Sequence, residues 1–229
     1  MSELKIITTS DGSHSLLNTD INETYHSTHG AVQESIHVFI KNGLDFLLKQ
    51  KQLSEINILE IGFGTGLNVL LSMQHAPLAG KRINYTSLEG FPIDIELAQQ
   101  LNYPSVLTTP GAVAKFEGLH KMPWNKEVEV QPDFYLTKLK SKLEEAELGS
   151  KKFDLVYYDA FAPSKQPEMW TMPILGNVAE AMKHKGVFVT YCAKGQLKRD
   201  LKSLGLAVET LEGPPGKKEM VRAVKSGRQ

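Results

Sequence analysis

The chain has 229 residues, of which 41% are hydrophobic, and its 26 basic side chains are balanced by 26 acidic ones. This length allows one substantial hydrophobic core, so we expect a single domain over residues 1–229. A single cysteine, Cys192, excludes an intrachain disulfide, and the sequence has neither a long apolar run nor a charged-then-apolar leader, which predicts a cytoplasmic protein without a membrane span.

The charges are unevenly distributed along the chain. Residues 183–229 carry 11 Lys or Arg against 4 Asp or Glu, whereas residues 1–182 carry 15 against 22. A basic C-terminal stretch is compatible with a polyanionic partner such as a nucleic acid, and equally with an ordinary solvated surface.

The N-terminal part predicts a small hairpin followed by a helix. Residues 4–9 and 14–17 flank a turn at 10–13, so we expect a hairpin within residues 1–20 that precedes the main fold as an appendage. Apolar residues at helical spacing predict a helix over 31–48. His26 and His29 precede that helix; because no third ligand follows at a suitable spacing, we interpret them as structural and expect no metal site.

From residue 56 onward, apolar runs alternate with helical patterns. This alternation is typical of a twisted, mostly parallel sheet with helices on both faces. Apolar runs that predict strands cover 56–61, 83–88, 128–134, 153–158, 186–191, 206–211 and 220–224. Helical patterns cover 69–73, 93–101, 136–147, 174–182 and 196–204. The proline-containing residues 102–127 interrupt the alternation, and we interpret them as an insertion near the substrate face.

Residues 57–68 (Asn-Ile-Leu-Glu-Ile-Gly-Phe-Gly-Thr-Gly-Leu-Asn) predict a strand, a tight turn and a helix. Glycines in such a turn allow positive φ and let a ligand approach the backbone. Their spacing differs from the G-x-G-x-x-G of dinucleotide sites, and no Walker lysine follows. A carboxylate at Glu60 would repel pyrophosphate but can pair with a cationic, ribose-bearing ligand such as S-adenosylmethionine. A purely structural turn is the alternative. The predicted cofactor contacts of this turn are Glu60, Gly62, Phe63, Gly64, Thr65, Gly66 and Asn68.

Acidic residues end two further apolar runs. In open α/β sheets, ligands bind beyond the carboxyl ends of the strands. Glu89 ends the run 83–88, where a carboxylate can accept hydrogen bonds from both ribose hydroxyls. Asp133 ends the run 128–134 beside Phe134 and is predicted to lie near adenine. Solvated acids at strand ends are the alternative for both.

Asp159 follows an apolar strand and opens a loop rich in proline and aromatic residues. The sequence of residues 159–170 is Asp-Ala-Phe-Ala-Pro-Ser-Lys-Gln-Pro-Glu-Met-Trp. Prolines restrict such a loop, and its aromatic side chains can stack on a planar base. A simple turn before a helix, with Trp170 in the core, is the alternative. Cys192 has no neighbouring His–Asp grouping, so we interpret it as a small buried residue rather than a nucleophile.

Three motifs together resemble one family. They are 59–68 (Leu-Glu-Ile-Gly-Phe-Gly-Thr-Gly-Leu-Asn), 159–163 with 167–171 (Asp-Ala-Phe-Ala-Pro and Pro-Glu-Met-Trp-Thr), and 216–220 (Gly-Lys-Lys-Glu-Met). The chain resembles the tRNA 5-methylaminomethyl-2-thiouridine methyltransferase family, the methyl-transferring half of a bifunctional wobble-uridine modification enzyme. The segments 25–27 and 34–39 are also similar to that family's N-terminal region, although His26 stands where the family often has Phe.

The resemblance implies a class I methyltransferase (Rossmann-like) fold with a mostly parallel seven-stranded sheet and S-adenosylmethionine as cofactor. It implies methylation of the aminomethyl group of a tRNA wobble uridine, with an upstream tRNA-modifying enzyme as an expected partner. The chain departs from the bifunctional form, and we expect a stand-alone methyltransferase without the flavin-dependent oxidase half. Asp159 is expected to orient the acceptor amine and to contact the cofactor. The residues expected to bind the substrate are Tyr25, Phe161, Pro163, Trp170, Lys194, Lys217 and Lys218.

Three other functions stay open on the sequence alone. The chain can be a methyltransferase for another RNA base or a small amine, which would use the same cofactor chemistry. A nicotinamide oxidoreductase is disfavoured by the glycine spacing. A non-catalytic tRNA-binding module is disfavoured because Glu60, Glu89 and Asp159 are present together with the glycine turn.

Overall fold

The computed structural model describes residues 3–50, 53–108 and 111–226, and its N-terminal part forms a three-stranded antiparallel sheet. Its strands are β1 (Leu4–Thr8), β2 (His14–Asn18) and the short β3 (Glu23–Thr24). The predicted hairpin is therefore present and gains a third strand. It is not an appendage, because Leu16 is fully buried in the main core and the His14 amide donates a 2.7 Å hydrogen bond to Asn102 Oδ1.

An eight-stranded sheet forms the centre of the molecule, in the order β10-β11-β9-β8-β4-β5-β7-β6. Its strands are β4 (Glu55–Ile61), β5 (Arg82–Glu89), β6 (Glu127–Gln131), β7 (Phe134–Lys140), β8 (Phe153–Tyr158), β9 (Met182–Thr190), β10 (Leu206–Glu212) and β11 (Glu219–Lys225). The five strands from β9 through β8, β4 and β5 to β7 run parallel, while β6, β10 and β11 join antiparallel. The predicted fold class is confirmed, with eight strands rather than seven.

The extra strand comes from the region between residues 127 and 140, where two expectations were wrong. The run 128–134 is split by a turn into β6 and β7. In place of the helix predicted over 136–147, residues 136–140 belong to β7 and the rest form a loop with a 3-10 turn at Leu143–Glu145. Along β7 the side chains of Phe134, Leu136 and Lys138 are buried, whereas Tyr135 and Thr137 are half-buried. This alternation with a period of two is the pattern of a strand.

Helices cover both faces of this sheet. On one face, α1 (Ala31–Ser35), a π-helical segment (Ile36–Leu44) and α2 (Asp45–Gln50) follow one another without a break. The remaining helices are α3 (Leu67–Ala79), α4 (Ile95–Ala98), α5 (Tyr103–Leu107), α6 (Ala112–Lys121), α7 (Met172–Ala181) and α8 (Gly195–Ser203), with 3-10 turns at Leu143–Glu145 and Pro167–Trp170.

Two apolar clusters result, one on each side of the sheet. Ile58 and Leu155 belong to the cluster that includes α3 and the π-helical segment, whereas their neighbours Leu59 and Val156 pack with α7 and α8 on the other side. Such two-sided burial explains why the parallel strands read as continuous apolar runs. In the described part of the chain, none of the helices combines the length and apolar character needed to cross a membrane.

Candidate active site

A large cavity opens at the carboxyl ends of the parallel strands, where the fold class places its ligands. Its volume is about 1060 Å³, just above the ~300–1,000 Å³ typical of small-molecule sites. The loops after β4, β5, β7 and β8 line it, together with residues between 21 and 34 and the loop between β10 and β11. None of the described residues of 102–127 lines it, although α6 packs behind the glycine turn, where His120 Nε2 donates to the Thr65 carbonyl at 3.1 Å.

The glycine turn joins β4 to α3 as the sequence predicted. Gly62, Gly64 and Gly66 all have positive φ, at 93°, 49° and 75°. The amide of Gly62 donates to the Leu88 carbonyl at 2.9 Å, which ties the turn to the end of β5. A Cβ built on Gly62 would lie 2.8 Å from the Asp159 carbonyl oxygen, so only glycine lets the ends of β4 and β8 approach this closely.

The two remaining turn residues with predicted cofactor contacts are held from behind. Phe63 is buried edge-to-face against Trp124, with ring centroids 5.8 Å apart, and Thr65 accepts a 3.2 Å hydrogen bond from the Tyr103 hydroxyl. Both residues line the cavity. The turn is thus fixed in shape by the protein before any ligand binds.

Beneath the turn lies a buried polar cluster. Glu60 is fully buried below the cavity floor and accepts a 2.5 Å hydrogen bond from Ser87 Oγ. Asn68, which does line the cavity, donates from Nδ2 to Asp159 Oδ2 at 2.9 Å. Within the described residues, Glu60 Oε1 and Asn68 Oδ1 are buried acceptors without a hydrogen-bond partner. Asn68 Oδ1 is thus an unsatisfied acceptor beside the glycine cradle, whereas Glu60 Oε1 lies below the cavity floor. An unsatisfied acceptor in this place fits a ligand that carries positive charge and N–H donors.

Burial raises the pKa of both acids in this cluster. The pKa of Glu60 rises to about 8, mainly because burial disfavours its charge. The Ser87 hydrogen bond opposes this rise, and repulsion by the nearby Asp159 carboxylate adds a smaller increase. The pKa of Asp159 rises to about 7, mainly through burial and then through the charge of Glu34. The cofactor-free cluster therefore holds protons near neutral pH and can release them when a cation binds.

Glu89 lies at the cavity wall with its carboxylate already oriented. Oε2 accepts from the Gly64 amide at 2.9 Å and Oε1 accepts from the Phe91 amide at 2.8 Å. Burial raises its pKa, and these backbone hydrogen bonds lower it. A carboxylate fixed by two amides at the end of β5 retains free lone pairs for a diol, as predicted for a ribose.

The loop after β8 brings Asp159 beside an aromatic pair. Phe161 packs edge-to-face against Tyr25, with ring centroids 5.0 Å apart, and both residues line the cavity. Trp170 and Pro163 are not part of the lining; Trp170 is buried, and its Nε1 donates to the Phe161 carbonyl at 2.8 Å. Of the two interpretations of Trp170, a base-stacking residue or a core residue, the core residue is therefore correct. The Trp170 side chain supports the loop from below and does not face the cavity.

The wall next to Asp159 is built by residues distant in sequence. Glu34 of α1 and Lys217 of the loop between β10 and β11 form an ion pair, and both line the cavity. Lys217 Nζ also lies 4.0 Å from the ring centroid of Tyr191. Lys217 is therefore paired inside the cavity, whereas Lys194 and Lys218 are exposed outside it.

Asp133 is not at the cavity, which excludes the predicted contact with adenine. It occupies the turn between β6 and β7 with φ of 62°, and its carbonyl accepts from the amide of Ile83 at the start of β5. It therefore lies at the amino end of β5, whereas the ligand edge is at the carboxyl end. β6, which forms most of the run 128–134, is antiparallel to β7 and hence to the central strands. The acid at its end therefore lies at the edge of the sheet opposite the cavity.

The loop after β7 contributes cavity residues that were not predicted from the sequence. Residues 141–144 line the cavity beside Glu89, and the Ser141 amide donates to the Glu89 carbonyl at 3.1 Å. Glu144 of this loop provides an exposed acid at the edge where Asp133 was expected. Phe91, 70% exposed at the cavity rim, was also missed. Recognising the alternation with a period of two in β7 would have predicted a strand that ends at Lys140, and hence a loop after it. No sequence pattern distinguishes Phe91 or Glu34.

Comparison with known proteins agrees with this geometry. The profile of a family described as S-adenosyl-L-methionine-dependent methyltransferase matches residues 109–226. The chain is 32% identical over 224 residues to the tRNA 5-methylaminomethyl-2-thiouridine biosynthesis bifunctional protein MnmC of Idiomarina loihiensis, covering 90% of this chain and 36% of that protein. The protein of the same name from Methylobacillus flagellatus is 31% identical over 207 residues, covering 87% and 32%.

The chain thus spans about a third of the length of these curated relatives. Among solved structures, MNMC2 from Aquifex aeolicus superimposes with a TM-score of 0.76 at 26% identity. That match covers all of this chain and 74% of the other. The similarity therefore extends through the whole arrangement of strands and loops that surrounds the cavity.

Proposed function

Since the chain belongs to the S-adenosyl-L-methionine-dependent methyltransferase family, we propose that it methylates the aminomethyl nitrogen of 5-aminomethyl-2-thiouridine at the wobble position of tRNA. The family establishes the cofactor and the reaction class. The acceptor is inferred from the names of relatives of which this chain matches about a third, and from the part of the cavity next to Asp159.

One observation carries the proposal: Asp159 joins the two halves of a single cavity. On one side it accepts a hydrogen bond from Asn68, at the start of the helix after the glycine turn. On the other side its loop presents Phe161, packed against Tyr25. A carboxylate between a cofactor cradle and an aromatic surface suits a planar base that carries an amine.

The cofactor, when bound, supplies an electrophilic methyl group on a sulfonium. The chain offers the backbone of Gly62 and Gly64 for its amino-acid part, the unsatisfied Asn68 Oδ1 for its ammonium, and Glu89 for its ribose. Glu60 contributes from below the cavity floor through its charge. The loop 141–144, rather than Asp133, lies beside Glu89 and is the proposed neighbour of the adenine.

Asp159 holds the acceptor amine and takes the proton that methylation leaves on its nitrogen. A primary alkylamine has a pKa of ~10 in water, so at neutral pH most of it is protonated and has no lone pair available. The sulfonium of a bound cofactor would lower that pKa, so that the amine loses this first proton to water before methyl transfer. With a pKa of about 7, Asp159 is ionised in much of the population at neutral pH and can accept a hydrogen bond from the amine. Methylation of a neutral amine leaves one excess proton on nitrogen, which passes to the Asp159 carboxylate or to water.

The tRNA backbone requires cationic surface around this cavity. Lys194 and Lys218 are exposed on the C-terminal side and are the proposed phosphate contacts, so binding is expected to weaken steeply with salt. Lys217 is not among these contacts, because it is paired with Glu34. A tRNA substrate also places the reaction in the cytoplasm, downstream of an enzyme that installs the aminomethyl group.

The test is transfer of a labelled methyl group to hypomodified tRNA, with nucleoside mass spectrometry to locate the product. Wild-type protein should yield 5-methylaminomethyl-2-thiouridine at the wobble position. Asp159→Asn should lower kcat/KM by roughly 10²–10⁴-fold, the range for loss of a proton-accepting group, with cofactor affinity changed less than about threefold. Asp200→Asn, which removes a carboxylate of α8 outside the cavity, is the matched control. A methyl group found on another nucleoside, or full activity in Asp159→Asn, would overturn the proposal.

A further inference from the structure

The ion pair between Glu34 and Lys217 joins two parts of the chain that are 183 residues apart. The Glu34 side chain is only 6% exposed and that of Lys217 is 32% exposed. Removing two charges from water costs free energy that their attraction does not always return, so stability alone is a weak explanation for a pair in this position. Both side chains line the cavity that contains Asp159, which indicates a role in the site.

Each partner is fixed by a second contact. Glu34 Oε2 accepts from the Ser27 amide at 2.7 Å, which leaves Oε1 for Lys217. Lys217 Nζ lies 4.0 Å above the ring of Tyr191, whose hydroxyl donates to the Ala160 carbonyl at 2.8 Å. The ion pair therefore connects through one aromatic side chain to the residue that follows Asp159.

We propose that Glu34 and Lys217 form a charge-balancing pair that positions Asp159 and sets its protonation for the acceptor amine. Lys217 favours the ionised carboxylate and Glu34 opposes it, so the intact pair holds Asp159 between the two extremes. The identity of the acceptor rests on the proposed function; the action of the pair on Asp159 does not.

Polar and titratable groups on several other elements also face Asp159. Asn68 of α3 donates to it, the Glu60 carboxyl lies below it, and the hydroxyls of Tyr191 and Tyr103 lie within its electrostatic influence. His26, beside the ion pair, is buried, and burial lowers its pKa to about 4. His26 is thus neutral at physiological pH, and Lys217 is the cation that faces Asp159 from the loop between β10 and β11.

The two partners of the pair should have opposite effects on Asp159. Glu34→Gln removes a negative neighbour, so the pKa of Asp159 should fall; Lys217→Met removes a positive neighbour, so it should rise. In the double variant, Glu34→Gln with Lys217→Met, both effects are absent; because Glu34 has the larger effect of the two, the pKa of Asp159 should lie between that in Glu34→Gln and that in the wild type. Lys217→Arg keeps the cation and should stay near wild type. A merely structural bridge would give the same direction of change for either loss.

Titration of Asp159 by ¹³C NMR with carboxyl-labelled aspartate measures these shifts without any acceptor, and Asp159→Asn identifies the resonance. The pH–rate profile for methyl transfer to tRNA is the second readout. We expect the ratio of kcat/KM at pH 6 to that at pH 9 to rise roughly threefold to tenfold in Glu34→Gln and to fall by a similar factor in Lys217→Met, the size expected for one charge several ångströms away in a partly polar interior. The ion pair of Glu117 and Lys121 on α6, 2.6 Å apart and outside the cavity, is the matched control; Glu117→Gln and Lys121→Met should shift neither readout.

Shifts in the same direction in both single variants, or no shift in either, would overturn the charge-balancing role. If Lys217→Met does not fold, the other two variants decide. A lower pKa of Asp159 in Glu34→Gln that is partly restored in the double variant supports the role, and an unchanged pKa in Glu34→Gln rejects it. Opposite shifts in the NMR titration of a protein that transfers no methyl group to tRNA would instead reject the proposed acceptor and retain the pair's action on Asp159.

Discussion

Replacing Glu60 with glutamine should stabilise the cofactor-free protein at alkaline pH. Glu60 is fully buried, and burial raises its pKa from 4.5 to about 8. The folded state therefore binds this proton more tightly than the unfolded state does. The stability that the protonated group contributes is complete below pH ~4.5, declines as the pH rises, and is lost above the folded-state pKa of about 8. Glutamine keeps an oxygen for the Ser87 hydroxyl and has no proton to lose.

The magnitude follows from the two pKa values. A rise from 4.5 to about 8 corresponds to at most ~5 kcal/mol, at 1.36 kcal/mol for each pKa unit. Because Glu60 titrates together with Asp159, we expect a smaller gain, on the order of 2–4 kcal/mol above pH 8 and close to zero at pH 5. For a domain of this size, each kcal/mol changes Tm by roughly 2–4 °C.

Thermal and urea unfolding of the wild type and of Glu60→Gln at pH 5, 7 and 9, without cofactor, measures this difference. Glu55→Gln, at the exposed start of the same strand, is the control and should show no pH-dependent gain. A difference between Glu60→Gln and wild type that does not change with pH, or a loss of stability at pH 9, would refute the reasoning. If Glu60→Gln also binds S-adenosylhomocysteine more weakly, the buried Glu60 carboxyl contributes to ligand binding at the expense of stability.

Two further predictions concern the walls of the cofactor cradle. Gly62→Ala places a Cβ 2.8 Å from the Asp159 carbonyl oxygen at a φ of 93°. It should therefore lower the free energy of unfolding in urea by roughly 2–4 kcal/mol. Gly80→Ala, at a positive φ with open space around it, should lower it by only about 1 kcal/mol. Glu89→Ala removes a carboxylate held by two backbone amides and should weaken S-adenosylhomocysteine binding at least about tenfold by calorimetry. Asp133→Asn should leave the affinity unchanged. Equal losses of affinity in both variants would contradict a cofactor site at the carboxyl ends of the parallel strands.

The cofactor half of the site was predictable because its information is local. The glycine spacing, the apolar run before it and the acid that ends the next run specify a strand, a turn and their position at one edge of a parallel sheet. The structure confirms the class I fold, and the family match confirms S-adenosylmethionine. Glu89 and Asp159 lie at the predicted edge because both follow strands that run parallel to β4.

The errors arose where strand direction or long-range pairing decides the outcome. Asp133 also follows an apolar run, but β6 is antiparallel to its neighbour, and nothing within that run reveals its direction. A short amphipathic strand such as β7 was mistaken for a helix because lysines and leucines suit both structures. The pairing of Glu34 with Lys217 depends on the completed fold, so neither residue is distinguishable in the sequence from a solvated charge.

Under the proposed function, the segment 21–34 should govern which acceptor the enzyme selects. Residues between 21 and 34 line the cavity together with Asp159 and Phe161. That segment is attached to the rest of the site by separate tertiary contacts: Lys165 Nζ donates to the Ile21 carbonyl at 2.8 Å, Tyr25 packs on Phe161, and Lys217 pairs with Glu34. None of these contacts involves the backbone of the glycine turn, apart from the close approach of Tyr25 to Gly64. Substitutions within the segment can therefore change which amine reaches Asp159 while the cofactor cradle keeps its shape, and acceptor specificity should be more sensitive to residues 21–34 than cofactor affinity is.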